Sequence, residues 1–562
     1  MSAHEFVGYV TVSRETPIKA SRLYANLVDD SVREGDVVSI VTHDGTPIAV
    51  GVITGVEVIS LLDRFDQAAL SSTLSQALQT EVPTRVRTLR KASINILLRL
   101  RDLPLERAYA IKIPNRGEVE ELWRGLLYEE RKRILAGFLK GREPLPAYYH
   151  ADFLLGPEGA HLNVGGISGL AAKTSYLRFL VYSLLEYMER TNQDIRVVVF
   201  NVKRLDFLGL HKIPDREDEV NACIDDWGRR KGISKEVLEL YKKMYGYIFD
   251  AVRNYKNNIM YFTYKDDPYR NSEDFMQNPQ LYSYGLLDLG VEGLIAGLFE
   301  EEDEASALQI NLLTKLYSIA LEKGWSLNVL KEFLEALHDC DKAQYKDLRE
   351  ACKAFKNKVQ VHRETLGAVI RRLDGFITRA KRILDLDEPR SRPIRAESLV
   401  KGINIIQLYG LSDIEKRVLV TSVINEVLKN AEEMQRQSID RAYVIIVDEL
   451  NKYAPRTKAP IKSSLIEIAA RGRDLRTSLF GAEQFPSDID GQVLGNTGTL
   501  AIGRSTPTEL EDRIYRVFGE LRVVVERLSK GEVLVYHPVY SQPLILMFPP
   551  PLNDIMRECG KY

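Results

Sequence analysis

The sequence predicts a multidomain α/β protein: a parallel sheet preceded by a small β-barrel and split by a long, mostly helical insertion. Three observations predict it. Short Val- and Ile-rich runs fill the first hundred or so residues, apolar strands alternate with helices from residue 161, and that alternation stops near 210 and resumes at 402. A chain of 562 residues exceeds what one core usually supports, so several domains are expected.

The runs "EFVGYVTV", "DVVSIVTH", "TPIAVGVITGVEVIS", "ASINILLRL" and "ERAYAIKI" read as strands, with Asp44-Gly45 as a hairpin signal between two of them. Several short strands at this spacing suggest a barrel over 1–115. "GEVEELWRGLLYEERKRILAGFLKG" reads as helical and "REPLPAYYHADFLLG" as a linker, which makes 116–150 a helical linker. The first part of the α/β core, 151–210, holds "HLNVGGISGLAAKTSYLRFLVYSLL", a buried strand, a glycine-rich turn and a helix, followed by the buried strand "IRVVVFNVK". Helical periodicity dominates 211–398, as in "SALQINLLTKLYSIALEKG" and "LNVLKEFLEALHD", with a candidate hairpin in "NIMYFTYKDDP" and a basic helix across 353–382. After the Pro/Arg linker "EPRSRPIR", the strands "GINIIQLYGL", "RAYVIIVDEL", "TSLFGAEQF" and "GTLAIGRS" form the second part of the core, 399–562, with a C-terminal tail.

Composition excludes several function classes. With 77 basic and 79 acidic residues the formal net charge is −2, so any nucleic-acid contact has to come from local patches. The four cysteines, Cys223, Cys340, Cys352 and Cys559, contain no C-x-x-C and argue for a reducing cytoplasm, against a zinc knuckle or a disulfide framework. No signal peptide and no transmembrane run is expected. His150, His161 and His211 lack ligand spacing, so no metal beyond Mg²⁺ is assigned.

The turn "GGISGLAAKTS" departs from the phosphate-binding pattern G-x-x-x-x-G-K-[ST], because Ala172 precedes Lys173 and Gly166 lies one residue farther from the lysine than usual. Gly165, Gly166 and Gly169 remain, and Ala171 and Ala172 are small. Such a turn can wrap phosphates with backbone N–H groups at a helix N-terminus, Lys173 adding a cation and the Thr174 hydroxyl a Mg²⁺ ligand; the same residues also suit a tight strand-to-helix turn. Asp448-Glu449 ends an apolar strand, as in a Walker B segment, where Asp448 would hold Mg²⁺ and Glu449 would activate water. Alone, it also fits a solvated strand end.

A third segment, "IEIAARGRDLRTSLFGAEQFPSDIDGQVLGNTGTLAIGRS", carries Arg471, Arg473 and Arg476 at a helix end, then Gln484 and Arg504 at strand ends. The order of P-loop, Asp-Glu strand, G-R-D helix end, strand ending in Gln and Pro, and strand ending in Arg resembles the HerA–FtsK family of hexameric DNA-pumping ATPases, and the barrel and the interrupted sheet resemble HerA. The resemblance covers 150–205 and 400–550 well, the barrel loosely, and the insertion only in position and helical character. It implies a RecA-like P-loop NTPase core that binds ATP and Mg²⁺ through Gly166, Gly169, Ala171, Ala172, Lys173, Thr174 and Ser175, with Thr174 and Asp448 at the metal. It further implies Glu449 as catalytic base, Gln484 as γ-phosphate sensor, and Arg473 or Arg504 as a finger acting on a neighbouring subunit; a surface ion pair is the plainer reading of each arginine. The chain departs from the family after the strand at 195–200, where an acidic residue is common and "FNVKRLDF" offers Asn201, Lys203 and Asp206.

The expectation is a cytoplasmic homohexameric translocase or helicase on double-stranded DNA, paired with a NurA-like nuclease or a sirtuin-like effector in DNA end processing or anti-phage defence, with no membrane contact. The alternative is an ATP-binding ring scaffold that regulates an effector. Lys356, Lys358, Arg363, Arg371, Arg372, Arg379, Lys381 and Arg382 mark a candidate DNA-channel element or a solvated amphipathic helix. The tyrosines of "LYKKMYGYIFDAVRNYKNNIMYFTY" could stack bases or form core.

Overall fold

The computed structural model describes residues 6–12, 17–42, 44–60, 88–101, 109–140, 143–167, 169, 173–270, 279–300 and 304–560. The chain divides into two compact units, Met1–His150 with Ala501–Phe548, and Ala151–Leu500 with Pro549–Tyr562.

In the first unit, strands β1 (Gly8–Thr11), β2 (Arg22–Leu27), β3 (Val37–Val41), β4 (Pro47–Ser60), β5 (Thr88–Arg99) and β6 (Ala110–Lys112) close into a barrel in the order β1-β2-β5-β4-β3-β6. Period-2 alternation drives this: β2 buries Leu23, Ala25 and Leu27 and turns the residues between them outward. Asp44-Gly45 lies in the connection between the antiparallel β3 and β4, with Gly45 at φ 85°. The helix Arg116–Leu126 follows, started by a capping box between Asn115 and Glu118.

The expected helical linker over 116–150 is corrected beyond that helix. Residues Arg133–Leu139 form a strand, β7, paired antiparallel with β8 (Leu145–His150), and every residue of β7 is buried. A continuous apolar run such as "ILAGFL" carries no period that separates helix from strand, so its pairing decides. Its other neighbour is the strand Leu544–Met547, itself paired with Glu532–Tyr536. Residues 501–548, expected in the second part of the α/β core, therefore belong with the N-terminal unit.

The second unit holds a parallel sheet. Strands β9 (Leu162–Gly165), β10 (Asp194–Asn201), β11 (Ile259–Thr263), β12 (Gln280–Leu281), β13 (Gly402–Gln407), β14 (Arg441–Asp448) and β15 (Thr477–Glu483) lie in the order β12-β11-β13-β10-β14-β15-β9, all parallel. The strand-to-helix unit that begins the core thus sits three strands from the next strand in sequence, β10, with β14 and β15 between them; this is the RecA-like arrangement. Two sequence readings change here. "NIMYFTYKDDP" is not a hairpin: β11 pairs in parallel with β13 and β12, so the sheet continues into the inserted region. The basic stretch 353–382 is two helices, Lys346–Lys358 and Arg363–Arg379, separated at Val359–His362.

The insertion shares its core with the sheet. The helix Arg363–Arg379 buries Leu366, Val369, Leu373 and Phe376 at helical spacing, in the same apolar cluster as Ile445 and Val447 of β14. Among the tyrosines considered for base stacking, Tyr245, Tyr261 and Tyr264 are buried. The expectation of unpaired, reduced cysteines is also corrected: Cys223 bonds to Cys559 and Cys340 to Cys352. Cys223 and Cys559 are 336 residues apart, and only the packing of the helix Glu217–Lys231 against Leu552–Cys559 brings them together.

Candidate functional site

The register of the parallel strands gathers the site. Gly165 pairs with Glu483 and Ala482 with Asp448, so the turn after β9, the end of β15 and the end of β14 share the carboxyl edge of the sheet. Ligands of open α/β sheets bind at such an edge. Val444–Val447 are fully buried, and their packing forces the strand to deliver Asp448 in a buried position, 2% exposed.

The turn after β9 uses positive φ at Gly166 (139°) and Gly169 (83°), and a Cβ at Gly169 would meet nothing within 4 Å. A side chain there is thus opposed by backbone conformation rather than by space. The candidate residues Ala171 and Ala172 lie outside the described residues. The helix Lys173–Thr191 opens on the lysine, whose ammonium is buried and donates to the Gly166 carbonyl at 2.7 Å. Burial pushes the Lys173 pKa down, opposed by the charges of Asp448 and Glu483. Ser175 follows, half-buried.

Thr174 and Asp448 meet directly, the hydroxyl donating to Oδ2 at 2.9 Å. Lys203, just past the end of β10, places its ammonium 2.6 Å from the same Oδ2 and 3.1 Å from the Thr174 Oγ1. Asp206 lies 3.9 Å from that ammonium, and burial raises its pKa. Glu449 adopts the left-handed region, φ 60° and ψ 45°, uncommon for a residue with a side chain. Its carboxylate pairs with Lys452 at 2.6 Å, and that hydrogen bond raises the Lys452 pKa. Thr174 and Asp448 are hard oxygen donors side by side, a set that suits a hydrated divalent cation.

The structure brings together Lys173, Thr174, Asp448 and, from the adjoining position, Glu449. Gln484 is exposed one residue beyond the end of β15, and the strand ends instead on Glu483, 1% exposed. Arg473 is exposed beside Asp474 at 3.5 Å, before the start of β15. Seven residues of strand separate that end from the carboxyl edge, roughly 20 Å, so Arg473 does not reach the site of its own chain. Arg504 is exposed and falls in the other compact unit.

Glu483 and Lys203 were not assigned roles from sequence. Glu483 precedes the glutamine that the family pattern picks out, and Lys203 stands two residues after a buried strand, where only the fold shows what it faces. Among the candidate channel cations, Arg372 donates to Gln309 and lies over the Phe299 ring, while Arg382 donates to the Gly410 carbonyl. His161 and His211 serve structure, His161 between β15 and Ala469, and His211 on Tyr261.

No family profile and no curated protein matches the chain. Among solved structures, the unbound bacterial conjugative coupling protein TrwBdeltaN70 is similar at 14% identity and TM-score 0.44, over 78% of this chain and 92% of that one. VirB4 of Thermoanaerobacter pseudethanolicus is similar at 14% identity and TM-score 0.39, over 76% and 99%. The genome packaging NTPase B204 from Sulfolobus turreted icosahedral virus 2, in complex with ATP-gammaS, is similar at 13% identity and TM-score 0.21, over 27% and 68%.

Proposed function

We propose that the chain is a Mg²⁺-dependent ATPase that works as a ring-shaped DNA translocase of the HerA–FtsK kind. The observation that carries this reading is the meeting of Thr174 and Asp448 at 2.9 Å beside the buried Lys173 ammonium, after a glycine turn at the carboxyl edge of the sheet. Lys173 would leave the Gly166 carbonyl for the β- and γ-phosphates, with the N–H groups around Gly166, Gly169, Ala171 and Ala172 and the Ser175 end of the first turn closing around them. Thr174 and Asp448 would hold Mg²⁺, which supplies charge neutralisation on the phosphates. Glu449 would accept a proton from the attacking water once released from Lys452, and Gln484 would orient toward the γ-phosphate.

Because Arg473 lies at the far end of β15, its role as a finger is one played on a neighbouring subunit, which requires a ring; Arg504 is the second candidate. On the resemblance, the ring is a homohexamer on duplex DNA, and its barrel docks a NurA-like nuclease or a sirtuin-like effector in end processing or defence. No helix among the described residues is long and apolar enough to cross a membrane. A scaffold reading, in which the ring binds ATP and regulates its effector with little turnover, is favoured by the ion pair that ties Glu449 to Lys452.

The test is binding of a fluorescent ATP analogue with Mg²⁺ to the wild type and to Lys173→Ala. Losing a charged hydrogen-bond donor to phosphate should weaken affinity by about 10- to 100-fold. Unchanged affinity would overturn the nucleotide site.

A further inference from the structure

Lys203 is placed where the reading above puts a metal ion. Its ammonium contacts the two oxygens assigned to the divalent cation, Asp448 Oδ2 at 2.6 Å and Thr174 Oγ1 at 3.1 Å. Asp448 is 2% exposed, so its charge is costly to leave without a counter-ion. The lysine side chain, by contrast, is 41% exposed and rises from the turn after β10, which leaves it room to withdraw. A second carboxylate, Asp206, waits 3.9 Å away on the same turn.

We infer that Lys203 is a tethered cation that takes the divalent-ion position and competes with Mg²⁺ for Thr174 and Asp448. The inference rests on the proposed nucleotide site and adds to it a residue that sets metal affinity. The lysine neutralises Asp448 and contacts both it and Thr174. For the ion to bind, the ammonium has to leave Oδ2, and Asp206 gives it a partner to move to. Lys203 thereby couples metal binding to a rearrangement of the turn after β10. It also disfavours metal binding before nucleotide arrives, because phosphate oxygens, absent until then, would supply the remaining ligands and a new partner for the lysine.

The test is direct binding of Mn²⁺ alone, followed by electron paramagnetic resonance, to the nucleotide-free wild type, Lys203→Met, Lys203→Arg and Asp448→Asn, each checked for folding by circular dichroism. Lys203→Met should bind Mn²⁺ about tenfold tighter or more, whereas Lys203→Arg, which keeps the charge, should stay near the wild type. Asp448→Asn should bind least. Equal affinity for the wild type and Lys203→Met, with loss only in Asp448→Asn, overturns the competition and leaves the metal site standing. No saturable Mn²⁺ binding in any protein overturns the competition and the metal site together.

Discussion

Acidification should destabilise the parallel unit through His161, and the size of the effect follows from where that imidazole sits. His161 is 2% exposed, its Nδ1 accepts the Leu479 N–H at 3.0 Å, and its Nε2 faces the Ala469 carbonyl at 3.2 Å. The ring is thus bonded as a neutral imidazole, and burial lowers its pKa from 6.5 to about 4. Between those values the unfolded chain holds more protons than the folded one, so stability rises with pH. The His161 contribution is complete above about pH 6.5 and is lost progressively as the pH falls toward about 4. At ~1.4 kcal/mol per pH unit, that window amounts to ~3 kcal/mol. The assay is urea unfolding at a series of pH values for the wild type and His161→Asn, since asparagine tolerates the positive φ of 71° at this position. The wild type should lose ~3 kcal/mol more than the variant across the window. His537, also buried and lowered to about 3, is present in both proteins and cancels. Parallel stability curves for the two proteins would refute the reasoning.

The Cys340–Cys352 bond closes a short loop, and removing it in Cys340→Ser/Cys352→Ser should cost ~3 kcal/mol by loop entropy, read from thermal unfolding without reductant. A thiol count on the unfolded wild type should find none of the four cysteines free until reductant is added. Arg178, on the helix that Lys173 opens, is buried and donates to both Asp554 oxygens at 2.7 Å. Asp554→Ala should therefore cost ~3 kcal/mol, and Arg178→Met/Asp554→Leu should recover most of it, in a cycle of urea unfolding measurements.

Much of the fold was legible because its signals are local. Alternation in β2, the Asp44-Gly45 turn and the continuous apolar run of β14 each announce themselves within a few residues. The pairing of β7 did not, because an apolar run buried on all sides has no period to read, and while β8 is near in sequence its other partner lies some four hundred residues on. The Cys223–Cys559 pair was hidden for the same reason, 336 residues of separation, whereas Cys340 and Cys352, only 12 residues apart, carry no spacing motif that marks a bond. At the site, Lys173, Thr174 and Asp448 were visible as motif residues, and the structure brings them together. Lys203 appeared in the sequence only as a departure from a pattern; its ammonium at Asp448 becomes evident when β10 and β14 are seen side by side. Glu483 was passed over for Gln484 because the pattern favours the exposed glutamine, whereas β15 is buried along its whole length and ends on Glu483.

The central claim is that this site turns over ATP to move DNA, and its most direct measurement is hydrolysis with and without duplex DNA for the wild type and Glu449→Gln, with the assembly weighed by native mass spectrometry. The account predicts a six-membered ring whose turnover rises with DNA and falls by about a hundredfold or more in the variant. A stable ring that hydrolyses ATP no faster than Glu449→Gln, with or without DNA, would contradict it and leave an ATP-bound scaffold.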